Sequence, residues 1–276
     1  MREFGGRVAV VTGAASGMGL ALARRFAALD MKVVLADIEA PALDEAAESL
    51  RASGAEVLAH HTDVSRWSDV AALAEATFER FGTAHVVCNN AGVVTAGPVE
   101  ELSLDDWSWV LGVNLWGAIH GVKAFLPRLR EQGEGHILST SSTAGLVAAP
   151  SIGPYNVSKF GVVALMETVA RELQISRSKV GASVLCPGEV ATRIAEAERN
   201  RPAGMQHEES EAERSFYASA GSLVARGLEP AAVADLVVEG IREERFWILT
   251  HPAWKGVLSR RLDALVEKQA LPPRYP

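Results

Sequence analysis

Residues 7–19 read RVAVVTGAASGMG, an apolar run that passes through three glycines directly into a helical pattern. The run 7–12 shows no polar alternation, as expected of a strand covered on both faces. Gly13, Gly17 and Gly19 follow it with the spacing G-x-x-x-G-x-G. Glycines at such a junction allow a tight turn and a close approach of backbone to a bound group. The first N–H groups of the next helix, with its dipole, favour an anion. Strand, glycine turn and helix in direct succession predict one unit of a parallel α/β sheet with a phosphate-sized site at its carboxyl edge.

The rest of the chain repeats that unit. Further strand-like runs lie at 32–37, 56–61, 84–89, 135–141, 180–186 and 245–250. Helical patterns lie at 17–30, 40–53, 66–81, 103–130, 155–177 and 230–243. Ser103 opens one of them as an N-cap, with Asp106 at the third helical position, close to a capping box. The expected fold is a single α/β domain over 1–276, a Rossmann-type doubly wound parallel sheet of about seven strands flanked by helices. With 48% hydrophobic residues the chain can bury a sizeable core.

Bulk properties exclude several functions. No run of 18 apolar residues appears, so no membrane span is expected, and the N-terminus lacks the regions of a signal peptide. A net charge of −7 argues against a nucleic-acid surface. Cys88 and Cys186 sit in apolar runs and read as buried thiols in a reducing, cytoplasmic setting. His60 and His61 are adjacent in a strand, point to opposite faces and cannot easily share a metal, so none is expected.

Two segments depart from the alternation. Residues 193–227 are charged with scattered apolar positions. They form a solvated surface loop or, following a strand's carboxyl end, a mobile lid over a ligand, and the lid is favoured. The tail, 252–276, begins with an amphipathic helix and ends in a Pro-rich piece that packs on its own subunit or on a neighbour.

The turn Gly13–Ser16–Gly17–Met18–Gly19 is read as the cradle of a dinucleotide pyrophosphate. Asp37 ends the second strand, 24 residues after Gly13. A carboxylate there accepts hydrogen bonds from the adenosine ribose and repels a 2′-phosphate. Neither Ser16 nor Ile38 offers a basic side chain, so NAD is expected over NADP.

Tyr155 and Lys159, in YNVSK, share one face of a helix. With them stand T-G-x-x-x-G-x-G at 12–19, NNAG at 89–92, Asn114, Ser142 and the pair Pro187–Gly188. In order and spacing these motifs resemble the short-chain dehydrogenase/reductase family, densely over about residues 5–192 and again near 246–249. The resemblance implies a nicotinamide cofactor and a tetrad of Asn114, Ser142, Tyr155 and Lys159. It implies cofactor contacts from Asp63 and Val64, from Asn90, Ala91 and Gly92, and from Val190 and Thr192 beside Pro187 and Gly188. Lys159 is implied to bind the nicotinamide ribose, and Asn114 to order a water leading to Lys159. For Asp63 and Gly92 a plain strand-end turn stays open as the alternative.

The implied chemistry is hydride exchange between NAD and a secondary alcohol or ketone. Tyr155 is the acid/base, and a nearby ammonium, Lys159, is expected to lower a phenol pKa that is ordinarily near 10. In the run STSST (139–143), Ser142 lies 13 residues before Tyr155 and is the expected substrate-polarising hydroxyl. Ser141 is the alternative, and Ser139 or Thr140 is expected to touch cofactor.

Loops 93–97, 146–154 and the stretch from Glu189 are read as small and apolar, with no arginine or lysine, which favours a hydrophobic substrate over an anionic one. Val162, Met166, Val169 and Leu173 lie near the Tyr155/Lys159 face of helix 155–177. Phe160, Gly161, Ala164, Leu165 and Thr168 make an uncharged opposite face, as expected of a helix buried on both sides in a homodimer or homotetramer. Two other readings compete: a non-catalytic dinucleotide-binding sensor, against which the intact tetrad argues, and an epimerase or dehydratase, disfavoured by the glycine spacing and short carboxyl-terminal region.

Overall fold

The computed structural model describes residues 1–206 and 210–271. The strands are β1 (Val8–Thr12), β2 (Lys32–Asp37), β3 (Val57–His61), β4 (Val86–Asn89), β5 (Gly135–Thr140), β6 (Val180–Cys186) and β7 (Trp247–Leu249). They form one sheet in the order β3-β2-β1-β4-β5-β6-β7, and every pairing is parallel. The order reverses between β1 and β4, and this switch point opens a crevice at the carboxyl edge.

Helices cover both faces. They are α1 (Gly17–Ala27), α2 (Ala40–Ala52), α3 (Trp67–Phe81), α4 (Leu104–Leu111), α5 (Gly117–Gln132), α6 (Gly153–Ile175), α7 (Glu211–Val224), α8 (Pro230–Arg242) and α9 (Trp254–Asp263). One core packs α1, α2 and α8 against one face of the sheet; the other packs α3, α5 and α6 against the opposite face. β1 alternates between them, with Ala9 and Val11 in the first core and Val8 and Val10 in the second. That double burial is why the strand reads as an unbroken apolar run, each fully buried valine contributing about 1.5–3 kcal/mol.

The structure differs from the sequence expectation in two places. The helix expected over 103–130 is interrupted by a π-turn at Gly112–Trp116, with Asn114 inside it. Its start is as read: Ser103 Oγ accepts from the Asp106 N–H at 3.2 Å and Asp106 Oδ2 accepts from the Ser103 N–H at 2.8 Å. The charged stretch 193–227 is not a plain loop. It holds short 3-10 turns at Ile194–Asn200 and Ala203–Met205, then α7, which has a full capping box of Ser210 and Glu213. Its two ends are fastened together where Val190 bridges Leu228, with the Ala191 N–H donating to Leu228 O at 2.9 Å. In the tail, Val257 and Ala264 are buried, and Arg261 lies over the Phe160 ring at 5.4 Å, so α9 packs on its own subunit. The Pro-rich end, 272–276, lies outside the described residues.

Candidate active site

A cavity of about 530 Å³ opens at the carboxyl edge of the sheet. It is lined by every site residue named from the sequence except Asn114. At one end lies the glycine turn. Gly13 has φ +66°, and a Cβ there would stand 2.8 Å from Ala91 Cα. A Cβ on Gly19 would overlap the Gly13 carbonyl, so these two positions are closed to any side chain. α1 carries no acidic residue in its first turn, and Ser16 makes no side-chain cap. Its first N–H groups are thus left to an anion entering the cavity. Asn90 braces the turn: its Nδ2 donates to Thr12 O at 3.1 Å, and its N–H donates to Thr12 Oγ1 at 2.9 Å.

Asp37 lies at the β2 end of the cavity. Its Oδ2 accepts from the Ala15 N–H at 2.9 Å and its Oδ1 from the Glu39 N–H at 3.0 Å, which fixes the carboxylate against the glycine turn. Asp63 is held by Ser65, whose Oγ donates to Oδ1 at 2.6 Å, and Val64 O accepts from His120 Nδ1 at 2.9 Å. On the far wall, Thr192 lies against Gly17, and the Gly188 N–H donates to His251 Nδ1 at 3.2 Å.

Tyr155 and Lys159 come from α6, and Ser142 from the turn after β5. The Ser142 hydroxyl lies beside the Tyr155 phenol, where it favours the phenolate. Lys159 Nζ lies 5.4 Å from the centre of the Tyr155 ring and donates to Thr140 O at 2.9 Å. Burial raises the Tyr155 phenol above its ordinary value, and the neighbouring Ser142 hydroxyl only partly opposes this. Burial also brings the Lys159 ammonium down to about 8. The free protein therefore holds Tyr155 as the neutral phenol, and lowering its pKa needs positive charge beyond what these two residues supply. Cys186 lies next to them, but burial pushes its thiol up to about 12, so it is not a nucleophile at neutral pH.

The five hydroxyls of 139–143 separate by their partners. Ser139 Oγ accepts from Asn89 Nδ2 at 3.2 Å, and Thr140 Oγ1 donates to Asn90 Oδ1 at 3.2 Å. Ser141 is fully buried and donates to Lys159 O at 2.8 Å, committed to the backbone of α6. Ser142 is the hydroxyl turned toward Tyr155, with the Ala144 N–H donating to its Oγ at 3.1 Å.

Asn114 lies behind the cavity. Its Oδ1 accepts from the Val93 N–H at 2.8 Å, and its Nδ2 donates to Val93 O at 2.9 Å and to Ser158 Oγ at 3.1 Å. These bonds join the loop after β4 to α6 and use both side-chain N–H groups. A Cβ on Gly92 would stand 3.4 Å from both Asn114 Oδ1 and Lys159 Nζ, so a side chain at this position would crowd both.

Several lining residues carry no sequence signal. Trp109, Val113, Phe216 and Leu223 give the other end an apolar wall, and Trp254 of α9 reaches the same cavity. Arg193 and Arg199 line it too, which corrects the expectation of a lining without arginine or lysine: both lie in the stretch after Glu189 that folds over the cavity. Arg199 is neutralised, its Nε donating to Glu39 Oε1 at 2.9 Å near Asp37.

The comparisons with known proteins agree with this geometry. The short chain dehydrogenase family model matches residues 7–203. A short-chain dehydrogenase/reductase from Burkholderia phymatum, solved in complex with NAD, is 45% identical, with a TM-score of 0.97 over 100% of this chain and 99% of that one. A C alpha-dehydrogenase of a Sphingobium species is 33% identical over 98% of this chain and 88% of its own length. A 1-deoxy-11-beta-hydroxypentalenate dehydrogenase of Streptomyces exfoliatus is 34% identical over 98% of this chain and 92% of its own. Family match, sheet order and clustered motifs converge, and the chain belongs to the short-chain dehydrogenase/reductase family.

Proposed function

We propose that this oxidoreductase moves a hydride between NAD(H) and a hydrophobic secondary alcohol or ketone. The observation that carries the reading is Tyr155 with Ser142 and Lys159 beside it, at the apolar end of the cavity whose other end is the glycine turn. The turn, the uncapped α1 and the Asp37 carboxylate fit a dinucleotide: N–H groups for the pyrophosphate, a carboxylate for the adenosine ribose. When bound, the nicotinamide supplies the hydride acceptor or donor and, oxidised, a positive charge.

Tyr155 takes the hydroxyl proton during oxidation and returns it to the carbonyl oxygen during reduction. Ser142 holds that oxygen and stabilises the charge it gains. Lys159, protonated below about pH 8, adds its charge to the cofactor's in drawing Tyr155 toward the phenolate. Lys159 also binds the nicotinamide ribose, the role that the family resemblance implies for it. Both Asn114 side-chain N–H groups are engaged while Oδ1 keeps one acceptor site, so a relay water at this residue is held by Oδ1 or by the main chain of the π-turn. Such turns shift the helical hydrogen bonds and recur at functional sites.

The wall of Trp109, Val113 and Phe216 favours an apolar substrate. Trp116 and Val157 are half-exposed beside the uncharged face of α6, which supports a homo-oligomer built across that face. The two free, buried thiols support a reducing, cytoplasmic location. Among the described residues no helix is long and apolar enough to cross a membrane, and none of their acidic, histidine or cysteine groups forms a metal cluster.

A panel of secondary alcohols, followed by NADH absorbance, tests the reading; tight NAD binding with no turnover on any of them would favour the sensor instead. Asp37→Ala should narrow the preference for NAD over NADP about tenfold, the worth of one charge-assisted hydrogen bond. An unchanged ratio of kcat/KM values removes Asp37 as the discriminator. Ser142→Ala should lower kcat about 10²-fold with cofactor affinity intact. Ser141→Ala should instead lower Tm, through the lost bond to Lys159 O, at a cost of about 1 kcal/mol.

A further inference from the structure

Behind the substrate wall lies a buried ionic cluster that the chemistry above does not use. The Arg201 side chain is 1% exposed. Its Nη2 stands 2.8 Å from Asp106 Oδ1 at the start of α4. Its Nε and Nη2 fork onto the Glu198 carboxylate, with Nη2 2.8 Å from Oε1. The same Nη2 donates to Thr95 Oγ1 at 3.3 Å, and Nη1 donates to Met205 O at 3.4 Å. The guanidinium lies over the Trp109 ring at 4.3 Å. Tyr217 of α7 joins through its hydroxyl, which donates to Glu198 Oε1 at 3.1 Å.

Arg201 itself does not line the cavity, but what it holds does: Trp109 from α4, Ala197 and Pro202 from the 194–205 arm, and Phe216 next to Tyr217. Trp109 and Ala197 belong to the small apolar cluster that packs against Tyr155. Apolar side chains in place of the arginine and both carboxylates together could secure the arm equally well, because burying charge costs solvation, whereas losing Arg201 alone strands Asp106 and Glu198. What a planar fork on two carboxylates and a ring adds is a single geometry.

We propose that Arg201 is a positioning residue for the substrate: it fixes the 194–205 arm and Trp109 in one register and so sets the shape of the pocket wall beside Tyr155. The inference rests on the dehydrogenase reading for what the pocket holds, while the fixing of the arm is independent of it. The arm is then a rigid wall rather than the moving part of a lid.

The test compares Arg201→Met, Arg201→Lys and Tyr217→Phe in the full chain, using an alcohol that the wild type oxidises. Arg201→Met should raise KM about tenfold with kcat and the Kd for NAD each within about threefold of wild type, the signature of lost ground-state placement. Arg201→Lys should fall between, since an ammonium cannot span both carboxylates and the ring. Tyr217→Phe removes one hydroxyl and should raise KM about twofold. Trypsin cleavage after Arg199 should be slow in the wild type and at least about fivefold faster in the Arg201 variants. A lowered Tm with KM unchanged overturns the proposal, as does a parallel loss of kcat, KM and cofactor affinity. Should Arg201→Met fail to fold, unchanged KM in the other two variants overturns it. If the wild type oxidises no alcohol, the dehydrogenase reading falls, and an unchanged cleavage rate then overturns the fixing of the arm by itself.

Discussion

Tyr155→Phe should lower turnover by about 10²–10⁴-fold, the range for a lost general acid/base, while NAD affinity changes little. The substitution removes one oxygen and keeps the ring that packs with Trp109 and Val93. The phenol is buried and held above its ordinary pKa, so its loss frees no charge and leaves no ionised partner stranded. Stability should move by less than about 1 kcal/mol, the worth of one hydrogen bond. Stopped-flow reduction of NAD with the wild-type substrate, beside a fluorescence titration of NAD, separates the two quantities. Turnover retained within about threefold would remove Tyr155 from the chemistry. A parallel loss of NAD affinity would make it a cofactor-binding residue instead.

The parts of this molecule that were legible in the sequence are those whose signal is local. β1 and the glycine turn are adjacent in the chain, and the double burial of β1 writes itself as an apolar run. The Ser103 cap and the Tyr155–Lys159 spacing are likewise contained within a few residues. What was missed depends on distant partners. The charges of 193–227 suggested solvent, yet Arg201 is buried by Asp106, Thr95 and Trp109, none near it in sequence. α7 went unseen because the few apolar positions that face the cavity, Phe216, Ala220 and Leu223, stand among charged and small ones. The π-turn follows from Asn114 reaching the Val93 backbone and Ser158, contacts that helical periodicity does not encode.

Lys159→Met should abolish most of the activity and change how stability depends on pH. In the folded free protein, burial brings the ammonium to about 8, against 10.5 for an exposed lysine. Between these values the unfolded chain binds more protons than the native one, so stability rises with pH across this window. Below pH 8 both states are protonated and the full desolvation penalty stands; above 10.5 both are neutral and it has vanished. The gap corresponds to a pH-dependent stability change on the order of 3 kcal/mol, at 1.36 kcal/mol per pKa unit. Methionine has nearly the same length and no charge, so the variant should lack this rise, although it leaves Thr140 O without the ammonium that donates to it. Urea unfolding of both proteins at pH 7.5 and at about pH 10 measures the difference of differences, from which the constant loss at Thr140 cancels. Equal pH slopes would place the ammonium in contact with water. Nor would a lysine that already sits at its ordinary pKa have to be held charged by the cofactor and Tyr155. The same burial that penalises the free enzyme makes the Lys159 charge effective in the assembled site, because each charge acts there in a medium that screens it weakly.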